Sequence, residues 1–359
     1  MEIKTPIHIQ RTQQSALRSV NVEELEFGQK VSDHMFSAEY HHGDWQQLKI
    51  IPFQDISLSP VTLALHYGQS IFEGMKAFRM QDGRVSIFRI DRHHERLNRS
   101  LERMAMPPVP LELFSEALQE LVTLDQHWVP KTNGSALYLR PLIFASEAKM
   151  GVKISEEYRF LIVTGPVPLL HARPIRVKVE RSFIRAARGG TGYAKCSGNY
   201  GGSFYPTQKA REEGYDQVIW TDAGDHEYFE ESGTMNLFFV IGGTLVTPPL
   251  SDSILDGVTR DSLLQLAEDL GIPVEERPVG ISEFVEGRKN SRVTEVFGAG
   301  TAAVVAPISE VGIDGINYTM PAYDGNSIMF RLKSLLDDIR YGRTTDKHSW
   351  NTIVGEGID

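Results

Sequence analysis

The sequence predicts an α+β protein of two domains, and three observations support this prediction. The 359 residues exceed the size at which a single hydrophobic core usually stops growing. Strand-like and amphipathic helical segments follow one another without a fixed repeat. Gly165, Pro166 and Pro168 interrupt the pattern near mid-chain. We therefore expect a small N-terminal domain at 1–167, a linker at 168–175 and a large C-terminal domain at 176–359.

The N-terminal domain contains two helical and three strand-like segments. The helices are predicted over Asp91–Met104 and Leu111–Leu124, and the strands over Val85–Phe88, Ser135–Ile143 and Tyr158–Thr164. The apolar stripe of the first helix consists of Ile90, His94, Leu97, Leu101 and Met104.

The C-terminal domain opens with a glycine-dense segment and then alternates between helices and strands. The glycines fall between Gly189 and Gly202. Further on, the patterns predict a helix at Phe204–Glu213, a strand at Gln217–Thr221, a hairpin at Phe238–Thr247, a helix at Asp261–Leu270 and a last helix from Ile328 to Ile339.

Composition excludes several classes of function. With 41% hydrophobic and 23% charged residues the chain is of ordinary globular type, and its net charge of -10 argues against binding to nucleic acid or to an anionic membrane. No apolar run approaches the ~20 residues of a membrane span, and the first residues lack a secretory core. Cys196 is the lone cysteine, so no disulfide framework can form. We expect a cytoplasmic enzyme.

Two segments of the C-terminal domain suggest a lysine and a phosphate site. Lys195 stands among small residues in GGTGYAKCSGNYGGS, where desolvation would leave its amine able to form a Schiff base; a solvated loop lysine is the alternative. The helix after Asp256 begins near a glycine and a threonine, which suits a phosphate. Alternatively, Thr259 or Asp261 simply caps that helix.

Three further features have an ordinary and a functional interpretation. The small residues of GAGTAA, at 298–303, form either an anion-binding nest or a tight turn. Glu231 could face a cofactor ring nitrogen, although a solvated glutamate is commoner. Arg140 lies among apolar strand residues and so needs an anionic partner or strong hydrogen bonds. The pairs His41-His42 and His93-His94 lack metal-ligand spacing, so no metal is predicted.

Taken together, these segments resemble the branched-chain amino acid aminotransferases of the fold-type IV, D-amino acid aminotransferase-like class. The resemblance covers about residues 24 to 343. It is carried by HYGQSIFEGMKAFR at 66–79, FRIDRHHERLNRS at 88–100, LYLRP at 137–141, GYAKCSGNYGGS at 192–203, EESGTMNLFFV at 230–240, ILDGVTRDSLL at 254–264 and EVFGAGTA at 295–302.

The resemblance implies pyridoxal 5'-phosphate as cofactor, held between the domains. Lys195 would form the Schiff base and move the proton between the substrate and the cofactor. Glu231 would pair with the pyridine nitrogen, and Tyr200, with Thr234 nearby, would bind the phenolic oxygen. The phosphate would be bound by Arg96, by the N–H groups of Val258 and Thr259, and by the hydroxyl of Thr301.

The same resemblance implies a reversible exchange of the amino group between leucine, isoleucine or valine and 2-oxoglutarate. It is a ping-pong reaction through pyridoxamine phosphate that yields the branched-chain 2-oxo acid and glutamate. Tyr67 and the N–H groups of Thr301 and Ala302 would hold the substrate carboxylate. Phe27, Tyr67, Phe72 and Tyr138 would line the side-chain pocket, and Arg140 with Tyr138 would bind the distal carboxylate of glutamate. Val152 would close the partner's pocket across a homodimer interface.

Some alternatives remain open at this point. A D-amino acid aminotransferase or an aminodeoxychorismate lyase would share Lys195 and Glu231, and a non-catalytic binding protein could keep the fold. Mammalian members of the family that the chain resembles have a CxxC thiol pair just after the GTA motif, and the corresponding positions here are Ala303 and Ala306. The absence of this pair, with that of a targeting segment, favours a role in amino acid biosynthesis.

Overall fold

The computed structural model describes residues 6–168 and 173–355, which divide into two compact units. The first unit comprises Met1–Leu170, Ala194–Gly198 and Asp338–Asp359, and the second comprises His171–Tyr193 and Asn199–Asp337. The division differs from the predicted one in two segments, because the residues around Lys195 and the C-terminal residues pack with the first unit. Of the predicted linker, residues 169–172 lie outside the described residues.

The first unit is built on a nine-stranded sheet in the order β1-β3-β2-β8-β7-β5-β6-β18, with β4 paired to β7. The strands are β1 (His8–Ile9), β2 (His34–His41), β3 (Asp44–Pro52), β4 (Ser70–Phe72), β5 (Met75–Arg79), β6 (Val85–Phe88), β7 (Ala136–Ala145), β8 (Tyr158–Val167) and β18 (Asn351–Ile353). The helices are α1 (Leu63–Tyr67), α2 (Ile90–Arg103) and α3 (Leu111–Leu124).

The second unit has its own nine-stranded sheet, in the order β11-β10-β9-β16-β15-β12-β13-β14 with β17 on β16. Because β11 also pairs with β12, the strands from β11 to β12 close into a ring. The strands are β9 (Ile175–Val179), β10 (Gln217–Thr221), β11 (Phe229–Ser232), β12 (Met235–Ile241), β13 (Thr244–Thr247), β14 (Val274–Glu276), β15 (Val293–Gly300), β16 (Val304–Ile313) and β17 (Ile316–Thr319). The helices that follow β9 in the chain are α4 (Gly198–Gly201), α5 (Phe204–Glu212), α6 (Val258–Asp269), α7 (Ile281–Lys289) and α8 (Ile328–Arg340).

Most predicted elements are confirmed, and the differences have local causes. Strand β8 continues through Pro166 to Val167, although the proline was expected to end it. Pro166 is paired only with β7, because β2 pairs with β8 only as far as Val163. The missing N–H of the proline therefore removes no hydrogen bond to β2. Gly242 and Gly243 turn the hairpin with positive φ angles of 60° and 85°, which glycine adopts without strain.

Helix α2 buries a wider face than its apolar stripe predicts. Leu97 and Leu101 enter the core as expected. His93, Arg96 and Ser100 are buried as well, although all three are polar. A buried polar face needs partners, and those of α2 belong to the candidate site.

No helix within 6–168 or 173–355 is long and apolar enough to cross a membrane.

Candidate active site

The backbone of Lys195 is fixed by a short antiparallel pairing with β4. The N–H of Phe72 donates to the carbonyl of Lys195 at 3.1 Å, and the N–H of Ser197 donates to the carbonyl of Ser70 at 2.9 Å. The N–H of Lys195 itself donates to Ser100 Oγ on α2 at 2.9 Å. The lysine is therefore held by the sheet and by a helix, and is not in a solvated loop.

The amine of Lys195 lies over an aromatic ring beside a second cation. Its Nζ is 4.8 Å from the centre of the Phe72 ring, and the guanidinium carbon of Arg140 is 4.7 Å from the same centre. Burial, and next the positive charge of Arg96, lower the pKa of Lys195 to about 8, although Glu73 raises it in part. A larger fraction of the amine is thus uncharged near neutral pH than for a solvated lysine, which favours attack on a carbonyl.

Strand β7 adds an arginine and a tyrosine to this group. Arg140 Nη2 donates to the hydroxyl of Tyr138 at 2.9 Å, and the Tyr138 ring meets the Phe27 ring edge-on at 5.1 Å. The structure thus gathers five predicted residues: Phe27, Phe72, Tyr138, Arg140 and Lys195. Two others, Tyr67 at the end of α1 and Val152 in the loop after β7, are 43% and 85% exposed.

Arg96 is buried against Glu73, which is not among the predicted site residues. Its Nε and Nη2 donate to the two carboxylate oxygens of Glu73, each at 2.8 Å. Glu73 has no exposed surface. Its position between Phe72 and Gly74 in an apolar run, IFEGM, was the available signal, since a carboxylate there must be paired.

Glu231, in the second unit, is 3% exposed and has polar partners on both carboxylate oxygens. Its Oε1 accepts hydrogen bonds from Asn236 Nδ2 at 3.1 Å and from the N–H of Leu255 at 3.0 Å. Its Oε2 lies 2.7 Å from Arg185 Nε. The solvated alternative is excluded. Neither Asn236 nor Arg185 is among the predicted site residues. Asn236 stands in the SGTMN block, which is the signal that points to it, whereas the sequence offers no local signal for Arg185.

The other predicted residues of the second unit lie on short turns and helix ends. Tyr200 is in α4, Thr234 is in the β11–β12 turn, and Thr301 and Ala302 are in the β15–β16 turn. Val258 and Thr259 are the first residues of α6.

Helix α6 begins three residues earlier than predicted. Its N-cap is Gly257, so neither Thr259 nor Asp261 has the capping role considered above. A Cβ at Gly257 would clash with Asn236 Oδ1. The start of α6 therefore lies against Asn236, the residue that binds Glu231. The predicted phosphate-binding helix end and the predicted glutamate are thus close together.

In the described ranges, no group of three or more His, Cys, Asp or Glu side chains could hold a metal ion. His93 instead pairs with Glu73, at 2.9 Å from its Nδ1 to Oε2.

Comparison with known proteins assigns the family. Residues 70–311 match the family model described as amino-transferase class IV. The chain belongs to the class IV aminotransferases. It is 45% identical over 335 residues to branched-chain-amino-acid transaminase 1 of Bacillus subtilis (strain 168), covering 92% of this chain and 94% of that one. It is 42% identical to the branched-chain-amino-acid aminotransferase of Mycolicibacterium smegmatis over 333 residues, covering 90% of each.

Solved structures of class IV aminotransferases share the fold. The branched-chain amino acid aminotransferase of Escherichia coli superposes with a TM-score of 0.72 at 29% identity, covering 91% of this chain and 100% of that one. The branched-chain aminotransferase of the thermophilic archaeon Thermoproteus uzoniensis, solved with norvaline, gives a TM-score of 0.73 at 27% identity, covering 90% and 100%. The predicted α+β, fold-type IV architecture is therefore confirmed.

Proposed function

We propose that this class IV aminotransferase transfers the amino group between leucine, isoleucine or valine and 2-oxoglutarate, with pyridoxal phosphate as cofactor. The observation that carries the proposal is the position of Lys195, a partly buried amine of lowered pKa beside Phe72 and Arg140. The names of the relatives support the substrate class.

The buried polar groups suit pyridoxal phosphate. Lys195 provides a nucleophilic amine, Arg96 a buried cation for a phosphate, and Glu231 a buried carboxylate for a protonated ring nitrogen. The first N–H groups of α6, at Val258 and Thr259, suit a phosphate because they lie at the positive end of the helix dipole. When bound, the cofactor supplies a ring that withdraws electrons from the α-carbon of the substrate.

Each of these residues has a separate role in the proposed mechanism. Lys195 would hold the cofactor covalently through its amine and would move a proton to and from the α-carbon of the substrate. Glu231 keeps the ring nitrogen protonated, and its own charge is held by Arg185 and Asn236. Tyr200 binds the phenolic oxygen, with Thr234 nearby. Thr301 adds its hydroxyl to the phosphate site.

Substrate binding needs apolar walls and two carboxylate sites. Tyr67 and the N–H groups of Thr301 and Ala302 bind the α-carboxylate. Phe27, Phe72 and Tyr138, together with Tyr67, form the apolar walls that accept branched side chains. Arg140 binds the distal carboxylate of glutamate, because its guanidinium is already oriented by the Tyr138 hydroxyl.

The proposed assembly is a homodimer. Val152 is 85% exposed on its loop, and its neighbours Met150 and Ile154 are 83% and 62% exposed. Apolar side chains with this exposure suit an interface, and Val152 would help to close the pocket of a partner subunit.

A visible absorption spectrum tests the proposal. The protein is incubated with pyridoxal phosphate, and spectra are recorded before and after addition of L-leucine. We expect the wild type and the control Lys209→Ala to show the band of lysine-bound cofactor, which leucine converts to the pyridoxamine form, whereas Lys195→Ala lacks the covalent band. Lys209 is a suitable control because it is half exposed and pairs with Glu212.

The competing functions give different results in the same experiment. A non-catalytic protein shows no lysine-bound band in any variant. A D-amino acid aminotransferase or an aminodeoxychorismate lyase shows the band but leaves leucine unchanged, and consumption of D-alanine then separates these two.

A further inference from the structure

Glu73 is an ionised carboxylate enclosed by polar partners in the core of the first unit. Both of its oxygens accept from Arg96, and Oε2 also accepts from His93 Nδ1 at 2.9 Å and from the N–H of Gly74 at 3.1 Å. Burial alone would raise its pKa, but the charge of Arg96 and the hydrogen bonds of Arg96 and His93 outweigh burial and hold the pKa of Glu73 well below its usual range. Glu73 therefore carries a full negative charge.

The pairing determines how Arg96 is presented. A guanidinium has five N–H donors in one plane, and Glu73 engages two of them, on the Nε–Nη2 edge. A bidentate contact fixes both the position and the plane of the group. An anion that Arg96 binds in addition would have to meet the donors that Glu73 does not engage, two on Nη1 and one on Nη2.

Helix α2 links this arrangement to the lysine. Arg96 and Ser100 are four residues apart and so lie on the same face, and Ser100 Oγ donates to the Arg96 carbonyl at 2.9 Å while it accepts from the Lys195 N–H at 2.9 Å. On the other side, Phe72 bonds to Lys195, and the next residue is Glu73. A shift of Arg96 relative to Lys195 would break contacts at both places.

We propose that Glu73 is a positioning residue that fixes the guanidinium of Arg96 for binding the phosphate group of the cofactor. This inference rests on the proposed function, because it takes the cofactor to be pyridoxal phosphate. It assigns Glu73 no contact with the cofactor; its role is exerted through Arg96.

The test compares pyridoxal phosphate with pyridoxal, which lacks the phosphate. Lys195 can form a Schiff base with either aldehyde. The dissociation constant of pyridoxal divided by that of pyridoxal phosphate, both measured on the apoenzyme, therefore isolates the phosphate contacts. We expect Glu73→Gln to reduce this ratio by about tenfold or more, since a reoriented Arg96 loses charge-assisted hydrogen bonds. Binding of pyridoxal should change little. Equal losses for both aldehydes, or an unchanged ratio, would overturn the proposal.

A matched control and a double variant complete the test. Glu310→Gln removes a carboxylate that pairs with Arg176 through the same two guanidinium nitrogens in the second unit, and it should leave the ratio unchanged. Because Glu73→Gln leaves Arg96 buried without its counter-charge, that variant could fail to fold. Glu73→Gln is therefore also placed in the Arg96→Gln background. No further change in the ratio supports action through Arg96, and a further fall contradicts it.

The same measurement separates the two proposals. If the wild-type apoenzyme shows no preference for pyridoxal phosphate over pyridoxal, the phosphate site of the proposed function fails. If the wild type prefers pyridoxal phosphate and Glu73→Gln retains that preference, only the role of Glu73 fails.

Discussion

The hydroxyl of Tyr138 occupies the place where a Cβ atom on Gly74 would project. Glycine at position 74 is therefore a requirement of close packing, since its backbone does not need a positive φ. The same hydroxyl accepts a hydrogen bond from Arg140. The glycine of the EGMKAF block thus determines where the proposed carboxylate-binding arginine lies.

Substitution Gly74→Ala should weaken the binding of dicarboxylate substrates. The added methyl group displaces the Tyr138 hydroxyl, which then no longer orients Arg140. We expect the KM for 2-oxoglutarate to rise by about tenfold, the effect of losing one charge-assisted hydrogen bond, with a smaller change for leucine. Steady-state kinetics on both substrates measures the difference. Gly325→Ala is the control, because a Cβ there meets nothing within 4 Å.

Removing the charge of Arg140 should slow the half-reaction with glutamate more than the half-reaction with leucine. Arg140→Met keeps much of the side-chain volume over the Phe72 ring but cannot bind a carboxylate. We expect kcat/KM for glutamate to fall by about a hundredfold, while kcat/KM for leucine falls by less than about tenfold. Single-turnover spectra with each amino acid provide the measurement. Equal losses for both amino acids would show that Arg140 affects the reactivity of Lys195 and not the choice of substrate.

The lowered pKa of Lys195 should be visible in the apoenzyme. Pyridoxal attaches to the uncharged amine, so below the pKa the rate of attachment falls about tenfold for each pH unit. The pyridoxal adduct is trapped by borohydride reduction, and its amount at short times gives the rate of attachment. We expect this rate to level off above a pH of about 8, the pKa of Lys195. Lys195→Ala gives the background. A rate that still rises steeply at pH 10 would mean that the amine is solvated.

Glu230, next to Glu231, should make stability depend on pH. Burial raises the pKa of Glu230 to about 7, although a hydrogen bond from Ser253 and the charge of Arg185 oppose the shift, and Glu231 and Asp222 add to it. Its Oε2 has no hydrogen-bond partner among the described residues. Because the pKa is raised on folding, the neutral carboxyl stabilises the fold at low pH, and this contribution is lost as the pH rises to about 7.

Glu230→Gln should therefore be more stable than the wild type at pH 8, by about 2 kcal/mol in order of magnitude, and should lose this advantage at pH 5. Thermal unfolding of the apoenzyme at both pH values measures the difference. Glu268→Gln, at an exposed position of α6, should show no such pH dependence. An equal shift at both pH values would assign the effect to packing.

Much of the fold could be predicted because its signals are local. Val85–Phe88, Leu111–Leu124 and Gln217–Thr221 were predicted with the bounds that the structure has. The Gly242–Gly243 turn follows from the φ angles that only glycine adopts easily. The continuation of β8 through Pro166 could not be predicted, because it depends on which strands border that residue.

In the candidate site, too, some residues could be predicted from the sequence and others were found only in the tertiary structure. The family resemblance predicted Lys195, Glu231 and Arg96 as site residues, because the blocks that carry it are contiguous in the chain. Only the tertiary structure showed that Glu73 pairs with Arg96, that Arg185 and Leu255 hold Glu231, and that 194–198 packs with the first unit. These partners are distant in sequence, so the chain path decides whether they meet. Burial, which shifts the pKa of Lys195 and Glu230, exists only once that path is complete.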